Sequence, residues 1–285
     1  MKVLKNTLLW LLILVFTLIL AISLRVFVFA TFTIPTPSME PAILPGDRIV
    51  VNKLIPGPRI IKNFFSIQGN EKPDILRLRG VRKVKRNDVL VFNYPRKNRK
   101  FDIDLNTYYA KRCVALPGDI FSIEEGIYKI QGVSDTLGNY PAQKKFYERP
   151  EEKIKPGVFH CFPKKSGYNW TVKEFGPLYV PARGDQLSID SLNIALYKDQ
   201  ITYETGLSVK VSQGKVLLGE RIIDQYTFEK NYYFMAGDFV FDSQDSRYWG
   251  LLPEDHIVGK AVLVYKSIDP KSEKRRWNRF LKKVK

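Results

Sequence analysis

The sequence predicts a mainly β protein that is held at a membrane by one N-terminal helix. Thr7–Leu24 is an uncharged run of 18 residues rich in Leu and Ile. At 1.5 Å per residue a helix of this length spans about 27 Å, close to the roughly 30 Å of a hydrocarbon core. Beyond it, short β-branched and aromatic runs follow turn signals, and no long helical repeat occurs before the C-terminus. We therefore expect a transmembrane helix followed by a β-rich domain.

The flanks of the apolar run predict its orientation. Lys2 and Lys5 precede it, and Arg25 follows, with 26–30 extending the apolar stretch. A cleaved signal peptide is the alternative, but its apolar region is usually only about 7–15 residues long, which favours an uncleaved anchor. Basic residues before a helix stay cytoplasmic, and a long domain crosses largely regardless of its charge. We predict a cytoplasmic N-terminus at 1–6, an anchor at 7–30, and an outward-facing domain.

The charge balance predicts a polyanionic partner. Lys and Arg total 46 against 29 Asp and Glu, a net charge of +17. The anchor favours membrane lipid over nucleic acid. The basic stretch 59–86 has too few aromatics for base stacking, and we expect it to be a solvated excursion from the sheet.

Four turn signals predict the starts of strands. Glycine and asparagine tolerate positive φ, and an aspartate bonds to nearby backbone amides. The signals, each followed by a β-type run, are Gly46-Asp47, Asn87-Asp88, Gly118-Asp119 and Gly184-Asp185.

The C-terminal end has a helical repeat. Apolar residues recur at i, i+3, i+4 and i+7 with Lys and Arg between them. The repeat consists of Trp277, Phe280, Leu281 and Val284. Such a segment either lies on an anionic lipid surface or docks on the protein body, and the pattern does not separate the two.

Two residue types exclude common hydrolase chemistries. His160 and His256 are the only histidines, too few for a confident Ser/His/Asp triad, and there is no HExxH or Cys-rich metal pattern. Cys113 and Cys161 carry no spacing signature, and we expect two unpaired small apolar residues. A hydrolase here needs another base.

A lysine can be that base when burial lowers its pKa. Lys111 lies in the run 108–114, where strand alternation points it to one face and Arg112 to the other. Ser38 lies in 34–41, where prolines hold the backbone extended. Neither residue alone indicates chemistry, because such a lysine is usually an exposed charge and such a serine usually belongs to a turn or cap.

Together, four ordered stretches resemble the motifs of bacterial type I signal peptidases. The resemblance covers the anchor, 31–120 and 231–265. The stretches are 37–41 (PSMEP), 87–94, 109–112 (YAKR) continuing to 116–119 (LPGD), and 237–238 continuing to 245–250 (DSRYWG).

The resemblance implies a Ser/Lys endopeptidase that removes signal peptides from exported preproteins. Ser38 would be the nucleophile and Lys111 the general base. Ser243 would orient the Lys111 amine, while the Ser38 backbone N–H and the Thr36 hydroxyl would form the oxyanion hole. No metal or organic cofactor is needed.

The resemblance also implies a supporting framework. Asp245 and Arg247 resemble the family's ion pair beneath the site, and Gly237 supports the same loop. The sequence departs from the family pattern at Phe239-Val240, at Asp242, and at Thr36, where serine is common.

Substrate binding would follow the family as well. The segment before the cut would bind as an extended strand, with small residues at the third and first positions before the cleavage site. Phe32, Ile34, Ile43 and Tyr109 would wall the pockets, although each could equally be a plain core residue. The expected location is the inner (cytoplasmic) membrane, with the catalytic domain extracytoplasmic.

The implied organisation beyond the anchor has four segments. They are a first catalytic segment at 31–123, an inserted β-rich cap domain at 124–230, a second catalytic segment at 231–268, and a basic amphipathic tail at 269–285.

Two other interpretations stay open at this point. One is a non-catalytic, membrane-tethered basic β domain that binds anionic lipid or envelope polymer. The other is a self-cleaving regulatory Ser/Lys protease of related fold, which predicts a DNA-binding module where this chain has an apolar helix.

Overall fold

The computed structural model describes residues 2–63, 72–154, 156–163 and 167–285. Its N-terminal helix α1 spans Lys2–Ser23 and continues as a π-helix over Leu24–Val28. The segment Asn6–Val28 has a mean hydropathy of 2.8 and its apolar window is unburied, so its length and composition suit a membrane span. Its C-terminal end meets the β-rich domain, where the Lys53 ammonium donates to the Arg25 and Val26 carbonyls at 2.9 Å.

The strands follow the turn signals of the sequence. In chain order they are β1 (Phe29–Thr33), β2 (Asp47–Asn52), β3 (Arg59–Ile61), β4 (Ile75–Arg77), β5 (Val89–Tyr94), β6 (Asp104–Ala115), β7 (Ile120–Glu124), β8 (Ile127–Ile130), β9 (Phe175–Tyr179), β10 (Gln186–Ser188), β11 (Val209–Ser212), β12 (Lys215–Leu218), β13 (Arg221–Ile223), β14 (Gln225–Thr227), β15 (Tyr232–Ala236), β16 (Leu252–Pro253), β17 (Ile257–Ser267) and β18 (Lys282–Lys283). The remaining α-helices are α2 (Tyr140–Tyr147), α3 (Pro156–Phe159), α4 (Ile194–Thr205) and α5 (Ser246–Trp249).

One antiparallel sheet organises the β-rich part of the chain that follows the helix. Its order is β1-β2-β17-β5-β6-β15-β16, with β18 added on β17. Although three strands separate β1 from β6 in this order, the rings of Phe32 on β1 and Tyr108 on β6 lie 4.9 Å apart. The sheet is therefore strongly curled, and β1 faces β6 across a groove.

All four predicted turn signals are confirmed as strand starts. Gly46, Asn87, Gly118 and Gly184 have φ between 68° and 91°. In each turn the aspartate carboxylate accepts a hydrogen bond from the backbone N–H three residues earlier, as Asp47 does from Leu44 at 2.8 Å. The aspartate N–H in turn donates to the carbonyl of that same residue. The starts of these strands could be predicted because the same short turn, with a positive φ followed by an aspartate, precedes each of them.

Residues 124–230 share a hydrophobic core with the main sheet. Strands β7, β8 and β9 form a small sheet, and the ring of Phe175 on β9 lies 5.5 Å from that of Phe234 on β15. The proposed boundaries of this insert remain a prediction.

Residues 59–86 were predicted to be a solvated excursion from the sheet, and this was wrong for the hairpin formed by β3 and β4. Strands β3 and β4 pair, and their arginines donate hydrogen bonds to backbone carbonyls next to β17. Arg59 donates to Asp255 and His256 at 2.8 and 3.1 Å, and Arg77 donates to Ile257 at 2.6 Å. The guanidinium groups satisfy these carbonyls, so basic residues hold the hairpin on the body. Residues 64–71 of the stretch lie outside the described residues.

The helical repeat at the C-terminus does not form a helix. A 3-10 turn at Trp277–Arg279 leads to β18, because Leu281 takes a positive φ of 55° that a helix cannot accommodate. Val284 is buried, and β18 pairs with β17. The tail therefore docks on the protein body through β18 and Val284, while Trp277, Phe280 and Leu281 of the repeat stay exposed.

Cys113 and Cys161 are both buried, and no disulfide joins them in the described structure.

Candidate active site

Ser38 sits in a loop whose two ends are tied together. The Ile34 N–H donates to the Asp47 carbonyl at 2.9 Å, and the Gly46 N–H donates to the Ile34 carbonyl at 2.8 Å. We call residues 34–47 the nucleophile loop. Met39 points into the core beneath it, and Ser38 remains 9% exposed at its rim. The closed loop presents the hydroxyl in a fixed place.

Lys111 reaches Ser38 from β6. Its strand pairs with β5, placing Lys111 opposite Leu90, and only 4% of the lysine is exposed. The Lys111 Nζ lies 2.5 Å from the Ser38 Oγ. Burial lowers the pKa of Lys111 to about 8, because a charged ammonium is poorly solvated there. The two side chains that the motifs singled out therefore form a close, water-poor pair.

The ion pair predicted from the motifs lies fully buried close to this dyad. The Arg247 guanidinium donates to both carboxylate oxygens of Asp245 at 2.8 Å, and neither side chain is exposed. Asp245 also accepts from the Gly237 N–H at 2.9 Å. Asp245 raises and Arg247 lowers the pKa of Lys111, so their influences oppose each other and burial dominates.

Ser243 and Gly237 are in tight contact beside the dyad. A Cβ on Gly237 would lie 2.1 Å from the Ser243 Oγ and 2.7 Å from the Ser38 carbonyl oxygen, so only glycine fits. The structure does not place the Ser243 hydroxyl on the Lys111 amine. Within the described ranges, the buried Ser243 Oγ makes no hydrogen bond of full geometry, but it lies close enough to Asp245 to help lower the pKa of that carboxylate.

The groups expected to bind an oxyanion lie around Ser38. The Thr36 Oγ1 is 3.5 Å from the Ser38 Oγ. Among the described residues, no backbone acceptor takes the Ser38 N–H. Phe239, where the sequence departs from the family pattern, contacts Ser38 through its backbone: the Phe239 N–H donates to the Ser38 carbonyl at 3.1 Å. This hydrogen bond does not depend on the identity of the side chain.

A groove of about 470 Å³ opens between β1 and β6 at the dyad. Phe32, Ile34 and Tyr109 line it, together with Thr36 and Tyr108. Ile43 does not line it. The hydrogen bond from the Ile43 N–H to the Met39 carbonyl forms a turn that directs Ile43 into the core, where it is fully buried.

A second buried ion pair was not predicted from the sequence. The Arg112 guanidinium donates to the Asp238 carboxylate at 2.6 and 2.5 Å. Arg112 follows Lys111, and Asp238 follows Gly237. The pair could have been predicted from these positions, because a basic and an acidic residue each directly follow a proposed site residue. This pair joins β6 to the loop that carries Ser243.

Within the described residues, no group of three or more His, Cys, Asp and Glu side chains is placed to hold a metal ion.

Comparison with known proteins matches the chain to one family. The model of the signal peptidase family, peptidase S26, matches residues 7–266. A signal peptidase I from Buchnera aphidicola (subsp. Schizaphis graminum) is 30% identical over 90% of this chain and 73% of its own length. One from Aquifex aeolicus is 28% identical over 88% of this chain and 82% of its own. One from Helicobacter pylori is 27% identical over 94% and 90%.

A solved signal peptidase I from Enterococcus faecalis covers 62% of this chain and 96% of its own, at 18% identity and a TM-score of 0.30. Similarity this low supports no inference about the fold.

Proposed function

The chain belongs to the signal peptidase family, peptidase S26, and from this premise we propose that it cleaves signal peptides with Ser38 as nucleophile and Lys111 as general base. Family membership makes it a membrane signal peptidase acting on preproteins. The observation that carries the mechanism is the 2.5 Å separation of Lys111 Nζ and Ser38 Oγ in a buried setting.

Acylation needs the neutral lysine. With a pKa of about 8, roughly a tenth of the Lys111 side chains are neutral at pH 7. The neutral amine takes the Ser38 proton as the Ser38 Oγ attacks the scissile carbonyl carbon. The resulting ammonium then protonates the leaving amine, the C–N bond breaks, and an ester to Ser38 remains.

Deacylation uses Lys111 in the same two roles, first as base and then as acid, with water as the nucleophile and Ser38 as the leaving group. The neutral Lys111 amine takes a proton from water, whose oxygen attacks the ester carbonyl. The Ser38 oxygen leaves with the proton returned from Lys111, and the signal peptide departs with a new carboxyl group, which releases its proton to solvent.

The tetrahedral intermediates need donors for their negative oxygen. The Ser38 N–H and the Thr36 hydroxyl are suited to this task by their position beside the Ser38 Oγ. Losing one such donor typically lowers kcat by about 10²–10³-fold. Ser243, close to Gly237 and Asp245, would turn its hydroxyl to the amine when substrate fills the site.

The groove suits an extended peptide. Strand β1 pairs only with β2, and the first half of β6 pairs only with β5, so in the described chain both present an unpaired edge toward the groove. A peptide inserted between them would add a strand, and its alternate side chains would enter pockets. The bulky walls of Phe32, Ile34 and Tyr109 leave room for small residues at positions −3 and −1.

The anchor determines where this chemistry occurs. A span over 6–28 with Lys2 and Lys5 before it orients the N-terminus to the cytoplasm and the catalytic domain outward across the inner membrane. Confinement to the surface where signal peptides emerge raises the effective substrate concentration without any new contact.

Cleavage of a preprotein by purified protein tests the proposal. We expect Ser38→Ala and Lys111→Ala to lose activity by roughly 10⁴-fold or more, as removal of a nucleophile or its base does in other serine proteases. Lys173→Ala is the matched control, since Lys173 is also a buried lysine but bonds to the Arg149 carbonyl away from the groove. Full activity in either dyad variant would remove the dyad from the mechanism.

A further inference from the structure

The C-terminal tail (269–285) contacts both halves of the dyad's support. It crosses the nucleophile loop, enters the core below it, and ends beside β6. Three sets of contacts connect the tail to the positions of Ser38 and Lys111.

The first contact is at the base of the nucleophile loop. The Arg279 guanidinium donates to the Asp47 carboxylate at 2.9 and 2.5 Å and to the Ala42 carbonyl at 3.0 Å. Arg279 is 5% exposed and Asp47 is fully buried. Asp47 accepts the Leu44 N–H through its carboxylate, and its carbonyl closes the loop onto Ile34. One tail side chain therefore grips the residue that closes the loop carrying Ser38.

The second contact is in the core. Val284 is buried in the same cluster as Ile34, Met39 and Ile43, all three from the nucleophile loop. Met39 is the direct neighbour of Ser38. The tail thus packs beneath the nucleophile as well as holding its loop.

The third contact is on the lysine side. The Arg112 guanidinium donates to the Lys285 carbonyl at 3.0 Å while it holds Asp238. Arg112 is the residue after Lys111 on β6. The tail therefore bonds both to the nucleophile loop and to β6, the strand that carries Lys111.

We propose that the C-terminal tail is a positioning element for the dyad, in which Arg279 sets the place of the Ser38 loop relative to Lys111. This rests on the proposed function of Ser38 and Lys111. A displacement of about 1 Å between reacting groups can lower a rate by about 10²-fold. Substrate binding uses the groove between β1 and β6, which the tail does not line. The nucleophile loop supplies Ile34 and Thr36 to this groove, while β1 and β6 supply its other walls, so loss of Arg279 should lower kcat more than it raises KM.

The test separates positioning from stability. In Arg279→Met, Asp47 is left buried without its partner, and both kcat and the melting temperature fall. The double variant Asp47→Asn/Arg279→Met removes both buried charges, while the new amide oxygen can still accept the Leu44 N–H, so the melting temperature should recover. We expect kcat of the double variant to stay about 10-fold to 10²-fold below wild type, with a smaller change in KM. Recovery of kcat together with the melting temperature would overturn the proposal, as would an unchanged kcat in Arg279→Met.

Two further variants complete the experiment. Arg275→Met is the matched control, because Arg275 is an exposed tail arginine stacked on Trp277, and its kcat should equal wild type. If the double variant does not fold, Arg279→Lys decides: a single ammonium keeps the charge but not the fork, and a kcat within twofold of wild type would count against positioning. Inactivity of wild type and Arg275→Met alike would instead contradict the proposed function itself.

Discussion

The two loops that flank Lys111 are each held by a buried Asp–Arg pair, yet the pairs are built from different regions of the chain. In the loop that carries Ser243, Asp245 pairs with Arg247, two residues away. In the nucleophile loop, Asp47 pairs with Arg279, 232 residues away. The loop that carries Ser243 has this local pair in addition to the Asp238–Arg112 pair with β6, whereas the nucleophile loop is held by a residue of the C-terminal tail.

The difference separates what each pair controls. The Asp245–Arg247 pair also takes the Gly237 N–H, so it fixes a turn from within. The Asp47–Arg279 pair joins two distant segments and so fixes where a loop sits, rather than whether it forms. Changes to the local pair should damage the fold, and changes to the remote pair should damage the alignment of the dyad.

The largest effect should follow from Asp245→Asn. The Arg247 guanidinium would stay fully buried without a counter-charge, which typically lowers the free energy of unfolding by about 3–5 kcal/mol. Cleavage should be lost along with the fold, as judged by thermal unfolding and a preprotein assay. The control is Asp269→Asn, whose pair with Arg276 is partly exposed and whose loss should leave the melting temperature nearly unchanged. A stable, active Asp245→Asn enzyme would show that this loop does not depend on its local brace.

A smaller effect is expected from Gly237→Ala. The added methyl would overlap the Ser243 Oγ and the Ser38 carbonyl, so the two loops must move apart. We expect kcat to fall by about 10²-fold with a modest loss of stability. Gly157→Ala is the matched control, because a Cβ there meets nothing within 4 Å. A Gly237→Ala enzyme with wild-type kcat would mean that the contact between the loops is not needed for alignment.

The same contrast explains what the sequence could predict. Ser38, Lys111, Asp245 and Arg247 could be proposed as site residues because each lies in a short contiguous motif. The strand starts were found because a Gly-Asp or Asn-Asp turn is a local device. Arg279 was missed because nothing nearby in the chain marks a partner 232 residues away. Its apolar neighbours fit a helical repeat, which the docking of Val284 and the positive φ of Leu281 override.

Ile43 was predicted to line the substrate pocket, but it lies in the core. Its motif position matched a pocket residue, but the turn from Met39 to Ile43 directs it inward. A motif gives the order of residues along the chain, whereas the facing direction depends on the loop's hydrogen bonds.

The smallest predicted effect comes from pH, which reports on the residue between the two loops. Since only the neutral Lys111 amine accepts a proton, kcat/KM should fall as pH drops through the pKa of about 8, by about tenfold per unit below it. Between pH 8 and pH 6 the loss should be about 50-fold. Binding of a non-cleavable signal peptide is the control and should change little over this range. A rate that is flat down to pH 6 would indicate a different base.

The most direct test of the central claim is to find the ester on Ser38. Purified enzyme mixed with a preprotein or signal-peptide ester, quenched in acid within the first turnover and digested, is examined by mass spectrometry. We predict a peptide containing Ser38 that carries the mass of the acyl fragment, present in wild type and absent in Ser38→Ala. Rapid product formation with no adduct at Ser38, or an adduct on another residue, would contradict the account.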